Sequence, residues 1–221
     1  MCGRFSLTKT EAEIEARFGA KFYSNDLIKR YNVAPSQLTL VLTNNNPTEF
    51  QFFKWGLIPS WAKDLNIGNR MINARFETLA EKPSFKNLIN RKRCLVITDG
   101  FYEWRNVGGK KMPVRITLKD EMLFAMAGLW DEWRDPVSGN TTKSFTVITV
   151  PANELITPIH DRMPAILLPA SEKKWLGLDP MDDMLTPYLE EEMKLYPVSD
   201  KLNSPSNDSP DLINPIENLF N

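Results

Sequence analysis

A succession of short apolar runs, separated by Gly, Pro, Asn and Asp, restricts the fold of this chain more than any other feature. The runs are rich in β-branched and aromatic residues, which is typical of strands bounded by turns. The predicted strands lie at Leu38–Leu42, Phe52–Trp55, Cys94–Ile97, Phe101–Trp104, Val114–Leu118, Met122–Ala127 and Phe145–Val150, with a further strand within Met1–Ser6.

Helical signals are sparse. Thr8 and Glu11 have the spacing of a capping box, after which Ile14 and Phe18 fall on one helical face. Many short strands with few helices predict an α+β fold, mainly antiparallel β, built around a curved sheet or open barrel. Three further short helices are predicted, at Pro83–Asn90, at Pro169–Leu176 and around Leu185–Leu195.

The length of 221 residues suits one well-packed domain and is short for two. We therefore expect a single domain over residues 1–221. Its last stretch, from Ser199 to Asn221, combines Ser, Asn, Asp and Pro with scattered apolar residues. This composition predicts an irregular C-terminal arm that lies on the domain.

The contents of cysteine, histidine and apolar residues exclude several classes of protein. Cys2 and Cys94 are the two cysteines and provide no disulfide framework; with His160 as the single histidine, they are too few for a zinc site. No run of about 18 apolar residues occurs, and the N-terminus lacks the layout of a signal peptide. The expectation is a soluble, cytoplasmic protein without a metal, a cofactor or a membrane partner.

Charge is divided unevenly along the chain. Residues 1–115 hold 19 basic and 10 acidic residues, whereas residues 116–221 hold 8 basic and 18 acidic residues. A basic first half suits a surface that binds phosphates. Packing of the two halves against each other explains the same division, so charge alone does not decide between these alternatives.

The second residue offers chemistry that an internal cysteine lacks. Removal of Met1, which a small penultimate residue usually permits, leaves Cys2 with a free α-amine and a thiol on adjacent carbons. This aminothiol can condense with an aldehyde to an imine and then close a thiazolidine ring. The same residue can serve as the nucleophile of an N-terminal amidohydrolase, with its own amine as base. The structural alternative is a small buried residue at the start of a strand.

Five further stretches combine polar and aromatic residues with Gly or Pro in ways that a core does not need. They are residues 31–37, 55–61, 73–78, 99–104 and 159–164. Each also has a structural explanation. Trp55 and Trp61 suit a hydrophobic core, and Arg75 suits a surface ion pair with Glu77, which stabilises little. Glu103 suits the solvent face of a strand, and His160 suits a loop.

The order of these motifs is more informative than any one of them. The chain carries Met1-Cys2-Gly3-Arg4-Phe5, Asn32-Val33-Ala34-Pro35, Trp55-Gly56-Leu57-Ile58-Pro59, Asn73-Ala74-Arg75, Asp99-Gly100-Phe101-Tyr102-Glu103-Trp104 and His160 followed by Arg162-Met163-Pro164. This succession resembles the SOS response-associated peptidase (SRAP) family of abasic-site processing proteins, over residues 1 to about 216.

The resemblance implies the SRAP fold and a function in the response to DNA damage. Members of the family form a covalent crosslink to abasic sites in single-stranded DNA, so the resemblance favours aldehyde capture by Cys2 and a thiazolidine product. It also implies self-cleavage of a leading segment, as in an autopeptidase, and a lyase-type activity. Since only Met1 precedes Cys2, an ordinary methionine aminopeptidase suffices to expose the amine here.

The family's site residues match positions in this sequence. The resemblance assigns His160 to opening of the sugar ring and Glu103 to proton transfer at the amine of Cys2. It assigns Asn73 to orientation of the sugar or of that amine. The expected partner is single-stranded DNA that contains an abasic site. We expect the protein to be a monomer, to associate with the nucleoid when bound to DNA, and to have little preference for DNA sequence. The residues expected to contact DNA are Arg4, Arg75 and Arg162 on phosphates, and Pro35, Trp55 and Trp61 at bases.

Two other classes of function remain open at this point. An N-terminal-nucleophile glutamine amidohydrolase also begins with Met-Cys-Gly, and there Cys2 attacks an amide carbon. A non-covalent single-strand DNA-binding module needs Cys2 only as a structural residue. A glutaminase assay distinguishes the first class, and Cys2→Ala distinguishes the second.

Overall fold

The computed structural model describes residues 2–23 and 27–216, and most of them lie in β-strands or the turns between them. The strands, in chain order, are β1 (Phe5–Leu7), β2 (Arg30–Val33), β3 (Leu38–Thr43), β4 (Asn46–Trp55), β5 (Asn73–Arg75), β6 (Arg93–Thr98), β7 (Gly100–Val107), β8 (Lys110–Leu118), β9 (Phe124–Arg134), β10 (Thr141–Pro151), β11 (Arg162–Pro164), β12 (Ile166–Leu167) and β13 (Met193–Pro197). The α-helices are α1 (Glu11–Phe18) and α2 (Pro169–Leu176), and short 3-10 turns lie at Leu65–Arg70, Phe76–Thr78, Glu190–Glu192, Asp200–Asn203 and Pro210–Ile213.

Five strands close into a barrel. Their order is β10, β4, β3, β6 and β9, and β9 pairs again with β10 to complete the ring. Neighbours in the ring are antiparallel except β4, which runs parallel to β10. Closure pairs strand edges that an open sheet leaves exposed.

Short strands extend the barrel around the end of β10. β5 runs parallel to β10, β11 runs antiparallel to it, and both pair with Thr149. A second, antiparallel sheet has the order β13, β8, β7, β1 and β2. The chain passes from the barrel into this second sheet at Asp99, between β6 and β7.

The predicted fold class is confirmed. Each strand predicted from residue 38 onward overlaps an observed strand, and α2 spans the predicted residues. The barrel is closed, although the sequence suggested a curved sheet or open barrel. Within the described residues, no helix is long and apolar enough to cross a membrane.

The start of α1 differs from the prediction by two residues. Thr10 and Glu13 form the capping box, with both side-chain-to-backbone hydrogen bonds present. Thr8 instead donates its backbone N–H and its hydroxyl to Asp99, each at 2.6 Å. The long-range contact with a buried carboxylate therefore prevails over the local capping pattern at Thr8.

Two of the predicted helices are wrong. Residues 83–90 form consecutive turns in which the backbone hydrogen bonds alternate between three-residue and four-residue spacing. The segment around 185–195 forms a 3-10 turn at Glu190–Glu192 and then β13, because the edge of β8 offers backbone partners to residues 193–197. Helical periodicity in these short segments is weaker than the tertiary contacts available to them.

The hydrophobic core joins the two sheets near the start of the chain. The rings of Phe5 and Trp55 lie 4.8 Å apart, and Trp55 stacks almost parallel to Phe145 at 6.5 Å between centroids. All three rings are buried, and Cys2 belongs to the same cluster. The N-terminal segment is therefore anchored inside the molecule.

Gly56 lets the chain leave β4 at a close backbone crossing. Its φ is 119°, a conformation that favours glycine, and a Cβ there would lie 2.6 Å from the carbonyl oxygen of Gly68. This crossing places the end of β4 against Gly68 of the 3-10 turn at Leu65–Arg70.

The C-terminal arm, described as far as Ile216, lies against β2. The buried side chain of Asn32 donates hydrogen bonds from Nδ2 to the carbonyl oxygens of Leu202, Ser204 and Asn207, at 3.2, 3.0 and 2.8 Å. The carboxylate of Asp208 accepts the backbone N–H of Asn32 at 3.0 Å. Two predicted segments extend beyond the described residues. Residue 1 of the predicted N-terminal strand and residues 217–221 of the predicted arm lie outside them.

Candidate active site

Cys2 lies just before β1 and is completely buried. Its thiol Sγ donates a weak hydrogen bond to the carbonyl oxygen of Arg4 at 3.7 Å. The same carbonyl accepts the backbone N–H of Tyr102 at 3.0 Å, which keeps the start of the chain beside β7. Burial raises the pKa of the Cys2 thiol, and the nearby carboxyl of Glu103 raises that pKa further. The thiol is therefore neutral at physiological pH.

Asn73 is the first residue of β5 and makes direct contact with the N-terminal segment. Its Nδ2 donates a hydrogen bond to the carbonyl oxygen of Cys2 at 2.8 Å. Its Oδ1 is buried and has no hydrogen-bond partner among the described residues. A buried acceptor without a partner is uncommon in folded proteins. The amide oxygen of Asn73 is thus available to a hydrogen-bond donor of a bound molecule.

Glu103 lies in β7 opposite Val114 of β8, and it is 4% exposed. Burial raises the pKa of its carboxyl, and the negative charge of Asp161 acts in the same direction. A carboxyl whose pKa lies closer to neutrality exchanges protons more effectively at physiological pH. The structural alternative for Glu103, a position on the solvent face of a strand, is excluded by this burial.

His160 lies in the turn before β11. Its Nδ1 accepts the backbone N–H of Arg162 at 3.0 Å and also lies 2.8 Å from the carboxylate of Asp161. The Asp161 side chain is 78% exposed, so water screens its charge, whereas β11 fixes the Arg162 amide. Burial lowers the pKa of His160, which favours the neutral ring. We infer that the neutral ring carries its proton on Nε2.

Glu77 and Arg162 form a bidentate ion pair beside these residues. The two guanidinium nitrogens of Arg162 lie 2.6 and 2.9 Å from the two oxygens of Glu77, and Nη2 also donates to the carbonyl oxygen of Thr149 at 2.5 Å. Glu77 belongs to the 3-10 turn that follows β5, and Arg162 begins β11. The ion pair therefore links the strand of Asn73 to the strand that follows His160.

The structure brings the four predicted catalytic residues to one region. Cys2 is hydrogen-bonded to Asn73 and interacts electrostatically with Glu103, while Glu103 interacts with Asp161, the neighbour of His160. The region thus combines a buried thiol, an amide, a carboxyl with a raised pKa and a neutral imidazole. No cluster of three or more His, Cys, Asp or Glu side chains able to hold a metal ion occurs in residues 2–23 and 27–216.

A comparison with protein families adds to this geometry. The family model described as SOS response associated peptidase (SRAP) matches residues 1–205. The chain belongs to the SRAP family.

Curated SRAP relatives have similar lengths or contain the matched region within a longer chain. The abasic site processing protein YoqW of Bacillus subtilis (strain 168) is 46% identical over 222 residues, covering 96% of this chain and 99% of that protein. The abasic site processing protein HMCES of Gallus gallus is 36% identical over 190 residues, covering 74% of this chain and 56% of that protein. A crystal structure of a Bacteroides thetaiotaomicron protein superposes with a TM-score of 0.88 at 33% identity, covering 97% of this chain and 100% of that one.

Three of the predicted DNA-contacting residues of this SRAP chain are accessible. Arg75 is exposed, and its guanidinium forms no hydrogen bond or ion pair within the described residues. Trp61 is 59% exposed and lines a cavity of about 480 Å³ together with Lys63 and Arg70. Pro35 is half-buried in the turn between β2 and β3.

The prediction that Trp55 stacks on a DNA base is wrong. Its ring is completely buried between Phe5 and Phe145, and its Nε1 donates a hydrogen bond to the carbonyl oxygen of Ile72 at 2.9 Å. The indole therefore presents no face to solvent. Of the two tryptophans in the Trp55–Trp61 motif, the first belongs to the core and only the second is exposed.

The other two predicted phosphate ligands already have protein partners. Arg162 is bound to Glu77 and Thr149, as described above. Arg4 donates from Nη1 to Asn32 Oδ1 at 2.9 Å and to the carbonyl oxygen of Leu202 at 3.0 Å. No carboxylate contacts Arg4 in the described part of the chain, so its positive charge remains uncompensated there.

The sequence did not indicate Glu77 and Asn32 as functional neighbours of the site. Glu77 lies two residues after Arg75, and proximity in sequence suggested that these two pair with each other. The actual partner, Arg162, is 85 residues away along the chain. Asn32 begins the Asn32–Pro35 motif, but its three carbonyl partners lie about 170 residues further on.

Proposed function

We propose that this protein captures the aldehyde of abasic sites in single-stranded DNA as a covalent thiazolidine on Cys2. The observation that carries the proposal is the hydrogen bond from Asn73 to the Cys2 carbonyl in a region that Glu103 and His160 share. The names of the curated relatives, abasic site processing proteins, support the same substrate. The chemistry requires that Met1 be removed, because only then is the α-amine on Cys2.

The proposed reaction has three balanced steps. The closed sugar opens as a proton leaves the C1′ hydroxyl and another is added to the ring oxygen, which gives the aldehyde. The amine of Cys2 adds to the aldehyde carbon, and loss of one water gives an imine. The thiol then adds to the imine carbon, its proton passes to the nitrogen, and the five-membered ring closes. The ring contains no C=N bond, so it resists hydrolysis better than the imine.

The environment of each side chain suits one of these steps. His160 transfers protons during ring opening, since it is the one side chain of the chain with an ordinary pKa near neutrality. Glu103 exchanges protons with the amine, the departing water and the neutral Cys2 thiol, and its raised pKa favours this role. Asn73 holds the Cys2 backbone through Nδ2 and offers Oδ1 to the sugar or the amine.

We propose that DNA lies over the exposed residues near the site. Arg75 contacts a phosphate, Trp61 stacks on a base, and Pro35 packs against another base. The uncompensated charge of Arg4 adds positive potential near the N-terminal segment. Contacts of this kind involve the backbone and the faces of bases, so little sequence preference is expected. The protein acts as a cytoplasmic monomer and associates with the nucleoid when bound.

The peptidase and lyase activities implied by the family resemblance concern the same residues. Self-cleavage of a leading segment requires a nucleophile at Cys2 and a proton-transfer group, and Glu103 lies close enough to change the pKa of the Cys2 thiol. We propose that methionine aminopeptidase removes Met1. A lyase-type activity on the captured sugar would start from the imine and compete with ring closure.

A crosslinking assay tests the proposal. Protein with a confirmed free Cys2 amine is incubated with a single-stranded oligonucleotide that carries one abasic site, and the products are separated on a denaturing gel. We expect a heat-stable crosslink with damaged DNA, none with undamaged DNA, and none with Cys2→Ala. Cys94→Ala is the matched control, since Cys94 is equally buried but internal, and it should crosslink normally.

Two outcomes would favour the other classes of function. Hydrolysis of glutamine by the wild type, lost in Cys2→Ala, would support the N-terminal amidohydrolase. Unchanged DNA binding without any crosslink, in both wild type and Cys2→Ala, would support a non-covalent binding module.

A further inference from the structure

The ion pair between Glu77 and Arg162 is not used in the proposed reaction, yet it lies between two of its participants. The Arg162 side chain is 9% exposed, and the Glu77 side chain is 46% exposed. Removing a guanidinium group from water costs free energy, unless a carboxylate lies against it with good hydrogen-bond geometry. The bidentate contact at 2.6 and 2.9 Å provides that geometry, so Glu77 is what permits the burial of Arg162.

The ion pair also crosses β10. Thr149 of β10 pairs with Arg75 of β5 on one side and with Pro164 of β11 on the other. β5 and β11 are each three residues long, so their pairing with β10 provides few backbone hydrogen bonds. The side chains of Glu77 and Arg162 join the 3-10 turn that directly follows β5 to the first residue of β11, and Arg162 adds a bond to the Thr149 carbonyl oxygen.

Both short strands position site residues. β5 begins with Asn73, which binds the Cys2 carbonyl oxygen. β11 begins with Arg162, whose backbone N–H binds Nδ1 of His160. A change in the position of Arg162 is therefore transmitted to the imidazole, and a change in the spacing of β5 and β11 alters the distance between Asn73 and His160.

We propose that Glu77 is a positioning residue which, through Arg162, fixes the orientation of His160 and its Nε2–H tautomer. The proposal rests on the proposed function, because the reaction concerned is aldehyde capture at Cys2. Glu77 acts on the imidazole through the Arg162 backbone. The proposal assigns Glu77 no contact with the reacting atoms.

A different role for Glu77 makes the opposite prediction. If Glu77 only masks Arg162 from DNA phosphates, Glu77→Gln frees a cation, and both DNA affinity and crosslinking increase. If Glu77 positions His160, Glu77→Gln lowers the rate constant of crosslinking even when the DNA is saturating. Reversible affinity, measured with undamaged single-stranded DNA, then stays equal or rises because a negative charge has been removed.

The kinetic test compares Glu77→Gln with Glu81→Gln. Glu81 is exposed, lies four residues further on and has no side-chain partner in the described part of the chain. Its substitution by Gln therefore removes the same negative charge without breaking an ion pair. At saturating abasic DNA we expect Glu77→Gln to crosslink about 10- to 100-fold more slowly, as misplaced catalytic groups do. Glu81→Gln should match the wild type, and Glu77→Asp, which keeps the carboxylate, should recover part of the rate.

A spectroscopic test uses the single histidine of the chain. In protein with ¹⁵N-labelled histidine, the wild type should show one neutral tautomer with Nε2 protonated and Nδ1 unprotonated. Glu77→Gln should show a mixture of tautomers or a broadened Nδ1 signal, whereas Glu81→Gln should match the wild type. A thermal melt of each variant excludes unfolding as the cause.

The outcomes separate this proposal from the proposed function. An unchanged saturating rate in Glu77→Gln, an unchanged His160 spectrum, or a fall in rate explained by lost affinity would each overturn the positioning role. If the wild type forms no crosslink, the proposed function fails, and the histidine spectra still decide whether Glu77 fixes the tautomer.

Discussion

Glu103 is a side chain whose burial opposes stability. The residue is 4% exposed, and burial raises the pKa of its carboxyl above the value it has in an unfolded chain. A raised folded-state pKa means that the protonated form stabilises the fold below the unfolded pKa, which is about 4.3. This contribution is lost as the pH rises through the folded pKa. The protein therefore retains at Glu103 a group that is least favourable at physiological pH.

We predict that Glu103→Gln stabilises the protein more at high pH than at low pH. Glutamine keeps the shape of the protonated carboxyl and never ionises, so the difference in Tm from the wild type should grow between about pH 4 and about pH 8. Thermal melts across this range measure the difference. For the exposed Glu81→Gln control, the difference in Tm from the wild type should stay constant over this pH range. A constant difference in Tm for Glu103→Gln as well would contradict the account.

Arg75 is the accessible guanidinium nearest to Asn73 along the chain, and we predict that its charge contributes to DNA affinity. Arg75→Glu should weaken binding to undamaged single-stranded DNA and reduce the slope of log affinity against log salt by about one. Fluorescence anisotropy over a salt series measures both quantities. Arg91→Glu, at an exposed arginine in the turn before β6, is the matched control. Equal losses in the two variants would indicate a general charge effect and not a contact by Arg75.

The site residues differ in how far the sequence could predict them. Cys2 stands out as a candidate from the sequence alone, because its position next to Met1 gives it unusual chemistry in any fold. The burial of Trp55 was not, since Trp55 and Trp61 flank one turn and the sequence does not indicate which of them faces the core. The partner of Glu77 was also out of reach, because its pairing with Arg162 depends on β5 and β11 lying on opposite sides of β10.

Secondary structure elements were predictable where the local pattern and the tertiary contacts agree. β6 and β10 are apolar runs that the barrel buries, and α2 begins with Pro169 at a favourable first-turn position. The local pattern failed at residues 185–195, where β8 recruits the chain as a strand. Closure of the barrel was equally inaccessible to local patterns, because it depends on pairing between β9 and β10 and between β10 and β4.

We predict that Asn32 holds the C-terminal arm against β2. Asn32→Ala removes a buried amide that donates to the carbonyls of Leu202, Ser204 and Asn207. Two of these oxygens keep another donor, whereas the Asn207 oxygen keeps none within the described residues. The loss should cost about 1–3 kcal/mol of unfolding free energy. Hydrogen exchange should increase over residues 199–213, where the arm loses its attachment. Asn207→Ala is the control, because its half-buried side chain makes one hydrogen bond, to the carbonyl oxygen of Lys201 within the arm. Unchanged exchange in Asn32→Ala would contradict this assignment.

The whole molecule assembles the candidate site from widely separated parts of the chain. Cys2 precedes β1, Asn73 lies in β5, Glu103 lies in β7 and His160 precedes β11. The barrel and the second sheet meet near this region, where Asp99 binds Ser6 and Thr8 of the N-terminal segment and Arg115 of β8. The aminothiol of an N-terminal cysteine can react with any accessible aldehyde. In the proposed function, the folded chain adds the amide, the carboxyl, the imidazole and the basic surface that direct this chemistry to damaged DNA.

Intact mass spectrometry of the protein and its DNA product tests the central claim most directly. Protein that lacks Met1 is incubated with a single-stranded oligonucleotide carrying one abasic site, without any reducing agent, and the crosslink is then digested and mapped. The account predicts a product whose mass equals protein plus oligonucleotide minus one water, with the added mass on Cys2. A confirmed free Cys2 amine with no such product, or an adduct on any other residue, would contradict it.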